Sequence, residues 1–261
     1  GYVSAVDILT AQEAEEHRRA LEDAEAKIGN LHYRSKVHTI LRSPLELATM
    51  PSVLDIVERM IGPDILLYNA TYIIKEPGAV SHVSWHQDLT YWGLGETDEE
   101  ITAWLALSDV NVESGCMRFV AGSHHQQIVP HRDTFDAANL LSRGQEVAVD
   151  VEEDDAIDVI LQPGQVSFHH GRMFHASGPN RSARDRIGLA FRFITPDVEP
   201  SVAKRDYAML VRGIDRGKNW IHVAPPTRLF DPAELELHAR IRQDQFAALA
   251  EGAEQELYTA Y

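Results

Sequence analysis

The residues best suited to chemistry lie in the stretch SHVSWHQDLTYWGL, residues 81–94, where His86 and Asp88 stand one residue apart among Trp85, Tyr91 and Trp92. In an extended chain, side chains alternate between faces, so an imidazole and a carboxylate two positions apart point the same way and Gln87 points the opposite way. Together they supply two ligands for a metal ion. With 13 histidines and 40 acidic residues in the chain, such a triplet also arises by chance, most often as a structural hydrogen bond, so the pair gains meaning only with a third ligand. The segment VSFHHGRMFHASGPNRSARDRIGLAFRFI, residues 166–194, offers His169, His170 and His175. Two histidines and one carboxylate match the facial triad of non-heme Fe(II) oxygenases, which leaves positions for co-substrate and oxygen. A structural zinc site would be closed by four ligands, often cysteines, and Cys116 is the only cysteine here. A catalytic zinc with the same three ligands is physically allowed, but no obvious general base stands near His86.

These residues need a scaffold that brings distant strands to one mouth. Thr10 followed by Glu13 is a capping-box pattern and predicts an amphipathic helix over residues 10–28, ended by Gly29. A second helix is expected from Pro51 to Ile61, with Gly62 and Pro63 as its stop. From Asp64 to Pro196 the pattern changes to short apolar runs broken by turns: ILLYNATYII, ITAWLALSDV, CMRFV, QEVAVDV, AIDVIL, QVSFHH and RIGLAFRFI. Such a series predicts an antiparallel sandwich or jelly roll rather than alternating strands and helices. A last helix is signalled by Asp231 as cap, Pro232 in the first turn, and Leu235, Leu237, Ile241, Phe246 and Leu249 along it. The chain therefore reads as one domain of mainly β class: a helical flank over 1–62, a double-stranded β-helix over about 63–196, and a variable tail with a helix over 197–261.

Composition narrows the function. The chain of 261 residues is 44% hydrophobic and carries a formal charge of −16, which argues against nucleic acid and against an anionic membrane surface as partners. The acidic runs ETDEE (96–100) and VEEDD (151–155) are expected to be solvated loops. A single cysteine excludes an internal disulfide and favours a reducing, cytoplasmic home. The opening GYVSAVDILT has no basic start followed by an apolar core, and no run approaches ~18 apolar residues, so neither a signal peptide nor a membrane span is expected. The missing initial Met suggests that a few residues precede Gly1.

The ordered set WHQD (85–88), AW (103–104), SGCMRFVAGSHH (114–125), QPGQVSFHHGRMFHASGPN (162–180) and RIGLAFRF (186–193) resembles the phytanoyl-CoA dioxygenase family of Fe(II)- and 2-oxoglutarate-dependent oxygenases, over the chain to about residue 196. The resemblance implies that His86, Asp88 and His175 bind Fe(II). It selects His175 among the distal histidines, because the family places its second metal histidine just before a small-residue turn and eleven positions ahead of an arginine, here Arg186. It implies that Arg186 pairs with the far carboxylate of 2-oxoglutarate, a role suited to a planar, permanently charged fork. Ser177 would donate to the same carboxylate, or merely cap the turn. Trp104 would line the co-substrate pocket, or pack as core, and Thr71 is a weaker candidate for the same lining. His124, His125, His169 and His170 read as structural or supporting residues, and Tyr91 and Trp92 as a buried aromatic patch or a substrate wall.

The implied reaction consumes O2 and 2-oxoglutarate, releases succinate and CO2, and oxidises an unactivated C–H bond. Related halogenases carry Ala or Gly where this chain has Asp88, so hydroxylation or another oxidation is expected rather than chlorination. The competing reading is a cupin-type jelly-roll binding protein with a non-catalytic metal site. A small metabolite or natural-product intermediate is expected as substrate, since no basic cluster for a CoA phosphate stands out. Segments 89–100, 126–146 and 197–230 are expected to shape that choice.

Overall fold

The computed structural model describes residues 1–132, 134, 136, 138–141, 146–148, 151, 155–202 and 206–250. In chain order these form β1 (Tyr2–Asp7), α1 (Ala11–Ile28), α2 (Arg42–Ala48), α3 (Pro51–Ile61), β2 (Ile65–Lys75), β3 (Val83–His86), the single turn α4 (Leu89–Trp92), β4 (Glu100–Ala106) and β5 (Met117–Val120). There follow β6 (His131–Arg132), β7 (Glu146–Val147), β8 (Ala156–Val159), β9 (Gln165–His169), β10 (His175–Ser177), β11 (Arg186–Ile194), β12 (Asp206–Arg212), β13 (Trp220–His222) and α5 (Pro232–Ala250).

Two sheets make the body: a seven-stranded sheet in the order β1-β9-β4-β11-β2-β12-β13 and a four-stranded sheet in the order β3-β10-β5-β8. They meet through Trp104, Ala106 and Ala190 of the first and Met117, Phe119 and Val159 of the second, which form one buried cluster. This is the expected jelly roll. The other face of the large sheet, with Ala103, Leu105, Leu189, Phe191 and Phe193, is covered by Ala14, Leu21, Val53, Leu54 and Val57 of the N-terminal helices in the largest core cluster.

α1 begins as its sequence requires. The Thr10 hydroxyl accepts from the Glu13 amide at 3.2 Å, and the Glu13 carboxylate accepts from the Thr10 amide at 2.7 Å, a closed capping box. α3 and α5 also start at their prolines, and the Asp231 carboxylate caps α5 by accepting from Ala233. Glu234 instead binds Thr227, outside the helix start.

The sheet extends beyond residues 63–196 at both ends. β1 adds to the edge at β9, and β12 and β13 add to the opposite edge beside β2. Part of QEVAVDV forms β7, paired with β6, and its remainder reaches residues outside those described. The run ETDEE is not wholly solvated: Glu100 is buried, and its carboxylate accepts from the Gly171 amide at 2.6 Å. Most of VEEDD lies outside the described residues.

Candidate metal centre and co-substrate bay

The small sheet builds the metal centre by register. His86, last in β3, and His175, first in β10, are direct cross-strand partners, so their rings lie side by side with centroids 3.9 Å apart. Asp88 is not in extended chain. Its backbone is right-handed helical (φ −58°, ψ −40°), because the chain turns out of β3 into α4 there. The turn still delivers its Oδ1 to 3.5 Å from His86 Nε2 and 3.8 Å from His175 Nε2. One donor atom from each of the three residues falls within 4.8 Å of the others, the only such group among the described residues.

The orientation of both rings is fixed from behind. His86 Nδ1 lies 2.9 Å from the Ser84 carbonyl and His175 Nδ1 lies 2.9 Å from the Met173 carbonyl. A carbonyl only accepts, so each Nδ1 carries the hydrogen and each Nε2 presents its lone pair to the shared centre. Burial holds His175 well below the ordinary histidine range, with His86 pushing the same way, so its ring is neutral. Burial alone would raise Asp88, but the adjoining His86 ring and the Arg192 charge outweigh it and hold the carboxyl below its ordinary range, so it is ionised. Two imidazole nitrogens and one carboxylate oxygen, all deprotonated and facing one point, fit a divalent first-row ion.

Gln87 performs the opposite task. Its amide nitrogen donates to Gln127 O and Arg172 O at 3.2 and 3.0 Å, and its oxygen accepts from the Val129 amide at 2.9 Å. The residue between two ligands therefore ties two loops to the strand that carries them.

The large sheet builds the bay beside this centre. Arg186, first in β11, is fully buried; Nη1 donates to Gly115 O at 3.1 Å, while Nε and Nη2 have no hydrogen-bond partner among the described residues. Burial lowers it to about 10, so it stays charged at neutral pH. Its guanidinium carbon lies 5.4 Å from the centre of the Trp104 ring. The Trp104 indole packs against the bare backbone of Gly188: a Cβ there would come within 1.8 Å of the ring. Ser177, two residues beyond His175, accepts from Lys75 Nζ at 2.7 Å, and Lys75 is the cross-strand partner of Arg186. Thr71 is buried on the same face as Trp104, since both pair with Ala190, and its hydroxyl receives a 3.3 Å contact from Arg192.

The structure thus brings all seven sequence candidates to one side of the large sheet or to the strand facing it. Gln87, Lys75, Gly188 and Arg192 belong to the same region without having been singled out. Gly188 carried a readable signal, because glycine inside a strand marks a close approach. Arg192 lies six residues after Arg186, an even spacing that puts both on one face. Of the aromatic pair, Trp92 is buried in a separate apolar cluster and Tyr91 sits edge-on to His86 with ring centres 5.8 Å apart. Parts of segment 126–146 lie outside the described residues. No described helix is long and apolar enough to cross a membrane.

Comparison with known proteins places this geometry among relatives. The family described as phytanoyl-CoA dioxygenase (PhyH) matches residues 1–188. The peroxisomal phytanoyl-CoA dioxygenase of Homo sapiens is 28% identical over 155 residues, 57% of this chain and 45% of that protein. A probable alpha-ketoglutarate-dependent hypophosphite dioxygenase of Stutzerimonas stutzeri is 26% identical over 69% of this chain and 61% of its own length. The matched stretch thus spans about half to three fifths of these relatives. The solved structure of the apo non-heme monooxygenase ThoJ superposes with a TM-score of 0.84 at 32% identity, covering 96% of this chain and 95% of that one.

Proposed function

Since this chain belongs to the phytanoyl-CoA dioxygenase family, we propose that it is an Fe(II)- and 2-oxoglutarate-dependent oxygenase that hydroxylates an unactivated C–H bond of a small metabolite or natural-product intermediate, releasing succinate and CO2. The observation that carries this reading is the pairing of a three-ligand face with a buried guanidinium whose Nε and Nη2 have no partner. A buried cation left half satisfied is costly, and a carboxylate ligand is the natural complement.

In this assignment His86, Asp88 and His175 would hold the iron. When bound, the ion supplies the redox chemistry that couples O2 to oxidation of co-substrate and substrate. Arg186 would bind the distal carboxylate of 2-oxoglutarate with the donors that Gly115 O does not take, and its bond to Gly115 O holds the guanidinium in place. The Ser177 hydroxyl accepts from Lys75, which leaves its own hydrogen free to donate to that carboxylate. Trp104 forms the wall of the bay and keeps water from the guanidinium, so the charge pair acts in a low-dielectric setting. Thr71 lines the same face beside Arg192. Asp88 would supply a carboxylate ligand where related halogenases carry Ala or Gly, which favours hydroxylation over chlorination. The named activities of the two curated relatives concern very different molecules, so membership of the family does not itself choose the substrate.

Anaerobic mixing of the protein with Fe(II) and 2-oxoglutarate tests the reading. A weak visible charge-transfer band is expected, absent from a His175→Ala protein, and oxygen should then trigger succinate release. Absence of both band and succinate in the parent protein would leave a binding protein as the better account. A chlorinated product from the intact protein with chloride would overturn the hydroxylase assignment.

A further inference from the structure

A third imidazole stands behind the metal carboxylate. His169 ends β9 at 1% exposure, packed against Phe119 with ring centres 5.0 Å apart and against His175 at 5.1 Å. Among the described residues neither of its ring nitrogens has a hydrogen-bond partner. Buried imidazoles rarely go without one, because each unpaired polar atom forfeits its hydration for nothing. Its Nε2 lies 4.0 Å from Asp88 Oδ2. The other carboxylate oxygen, Oδ1, is the one nearest both ligand imidazoles. Oδ2 is therefore the oxygen left over when the three residues grip an ion through Oδ1.

We infer that His169 is a positioning residue for Asp88: its Nε2–H donates to Oδ2 and so keeps Oδ1 turned toward the ion. The present separation exceeds hydrogen-bond length by about 1 Å, so the bond requires the two side chains to draw together by that much. A neutral imidazole that donates through Nε2 accepts at Nδ1. Thr102, the cross-strand partner of His169, carries a buried hydroxyl without a partner on that same face. Metal-binding carboxylates are commonly held in this way by a hydrogen bond to the non-ligating oxygen, and the partner controls affinity as well as orientation. Arg192 also bears on Asp88, but as a charge. His169 gives direction. The inference rests on the metal site proposed above.

Two substitutions separate orientation from packing. His169→Phe keeps an aromatic ring of similar size without the N–H, and His169→Gln restores an amide N–H near the same place. Fe(II) affinity is measured anaerobically in all three proteins by the charge-transfer band with 2-oxoglutarate, and Co(II) affinity by its visible ligand-field bands without co-substrate. His169→Phe is expected to weaken both metals by roughly 10- to 100-fold, and His169→Gln to remain within about 3-fold of the parent. Thermal melting of the metal-free proteins checks folding, with His169→Met taking the place of the phenylalanine variant if that one does not fold. Equal affinity in His169→Phe and parent overturns the inference, as does an equal loss in His169→Phe and His169→Gln. A parent that binds neither Fe(II) nor Co(II) overturns the metal site itself, and this inference with it.

Discussion

The two faces of the seven-stranded sheet are made from the same strands and do opposite things. On the helix side, β4 and β11 present Ala103, Leu105, Ile187, Leu189, Phe191 and Phe193, all inside one apolar cluster. On the site side the alternate residues are Glu100, Thr102 and Trp104 of β4 and Arg186, Gly188, Ala190 and Arg192 of β11. The period-two alternation of a strand assigns each residue to one side without compromise. One face supplies folding free energy, while the other buries charge that folding alone does not reward. Among the described residues, Arg186 Nε and Nη2, Arg192 Nε, Thr102 Oγ1 and Glu100 Oε2 are all buried there without hydrogen-bond partners, as expected of a surface organised for something other than its own stability.

The contrast can be broken most severely at its metal end. His86→Ala is expected to weaken Fe(II) binding by at least about 100-fold, beyond the 10- to 100-fold typical of orienting partners, and to leave the melting temperature of the metal-free protein nearly unchanged. Anaerobic titration and thermal melting together check this. On the apolar face, Phe191→Ala should cost about 3–5 kcal/mol in denaturant unfolding, with the affinity of the surviving folded protein for 2-oxoglutarate intact. Arg186→Met should do the reverse. The KM for 2-oxoglutarate is expected to rise about 100-fold, within the range for removing one partner of a buried charge pair, while the free protein keeps or gains stability because an incompletely paired buried cation is gone.

The smallest and most specific effect concerns Glu100. Burial raises its carboxyl to about 8, with the Asp88 charge adding to the shift. Between the ordinary carboxyl value of 4.5 and about 8 the folded protein holds a proton that the unfolded chain has released. Its contribution is therefore complete below that window and is lost as pH rises through it. Glu100→Gln keeps an acceptor for the Gly171 amide and should flatten the decline in melting temperature between pH 5 and 8.

Much of the architecture could be read before the fold was known, because α1, α3, β2 and β11 carry strong periodicity and clear punctuation. β1 could not, since its residues alternate between half-buried and exposed and its neighbour β9 begins only at Gln165, far along the sequence. β12 and β13 were hidden in a segment rich in charge, and α2 is only seven residues long with Pro44 inside it. At the site, ligand identity follows residue type and motif spacing, whereas the supporting groups depend on register. Lys75 reads as the polar end of an apolar strand until the pairing of β2 with β11 sets it beside Arg186 and under Ser177. His169 is one of thirteen histidines by sequence, and only β9 aims it at Asp88.

The bare backbone at Gly188 acts as a ruler for the packing around Arg186. The indole of Trp104 occupies the space that a Cβ at this position would need, so the place of the ring beside Arg186 depends on the absence of a single methyl group. Alanine there would force the ring to move, so the packing beside the guanidinium of Arg186 is set at a position that carries no side chain of its own.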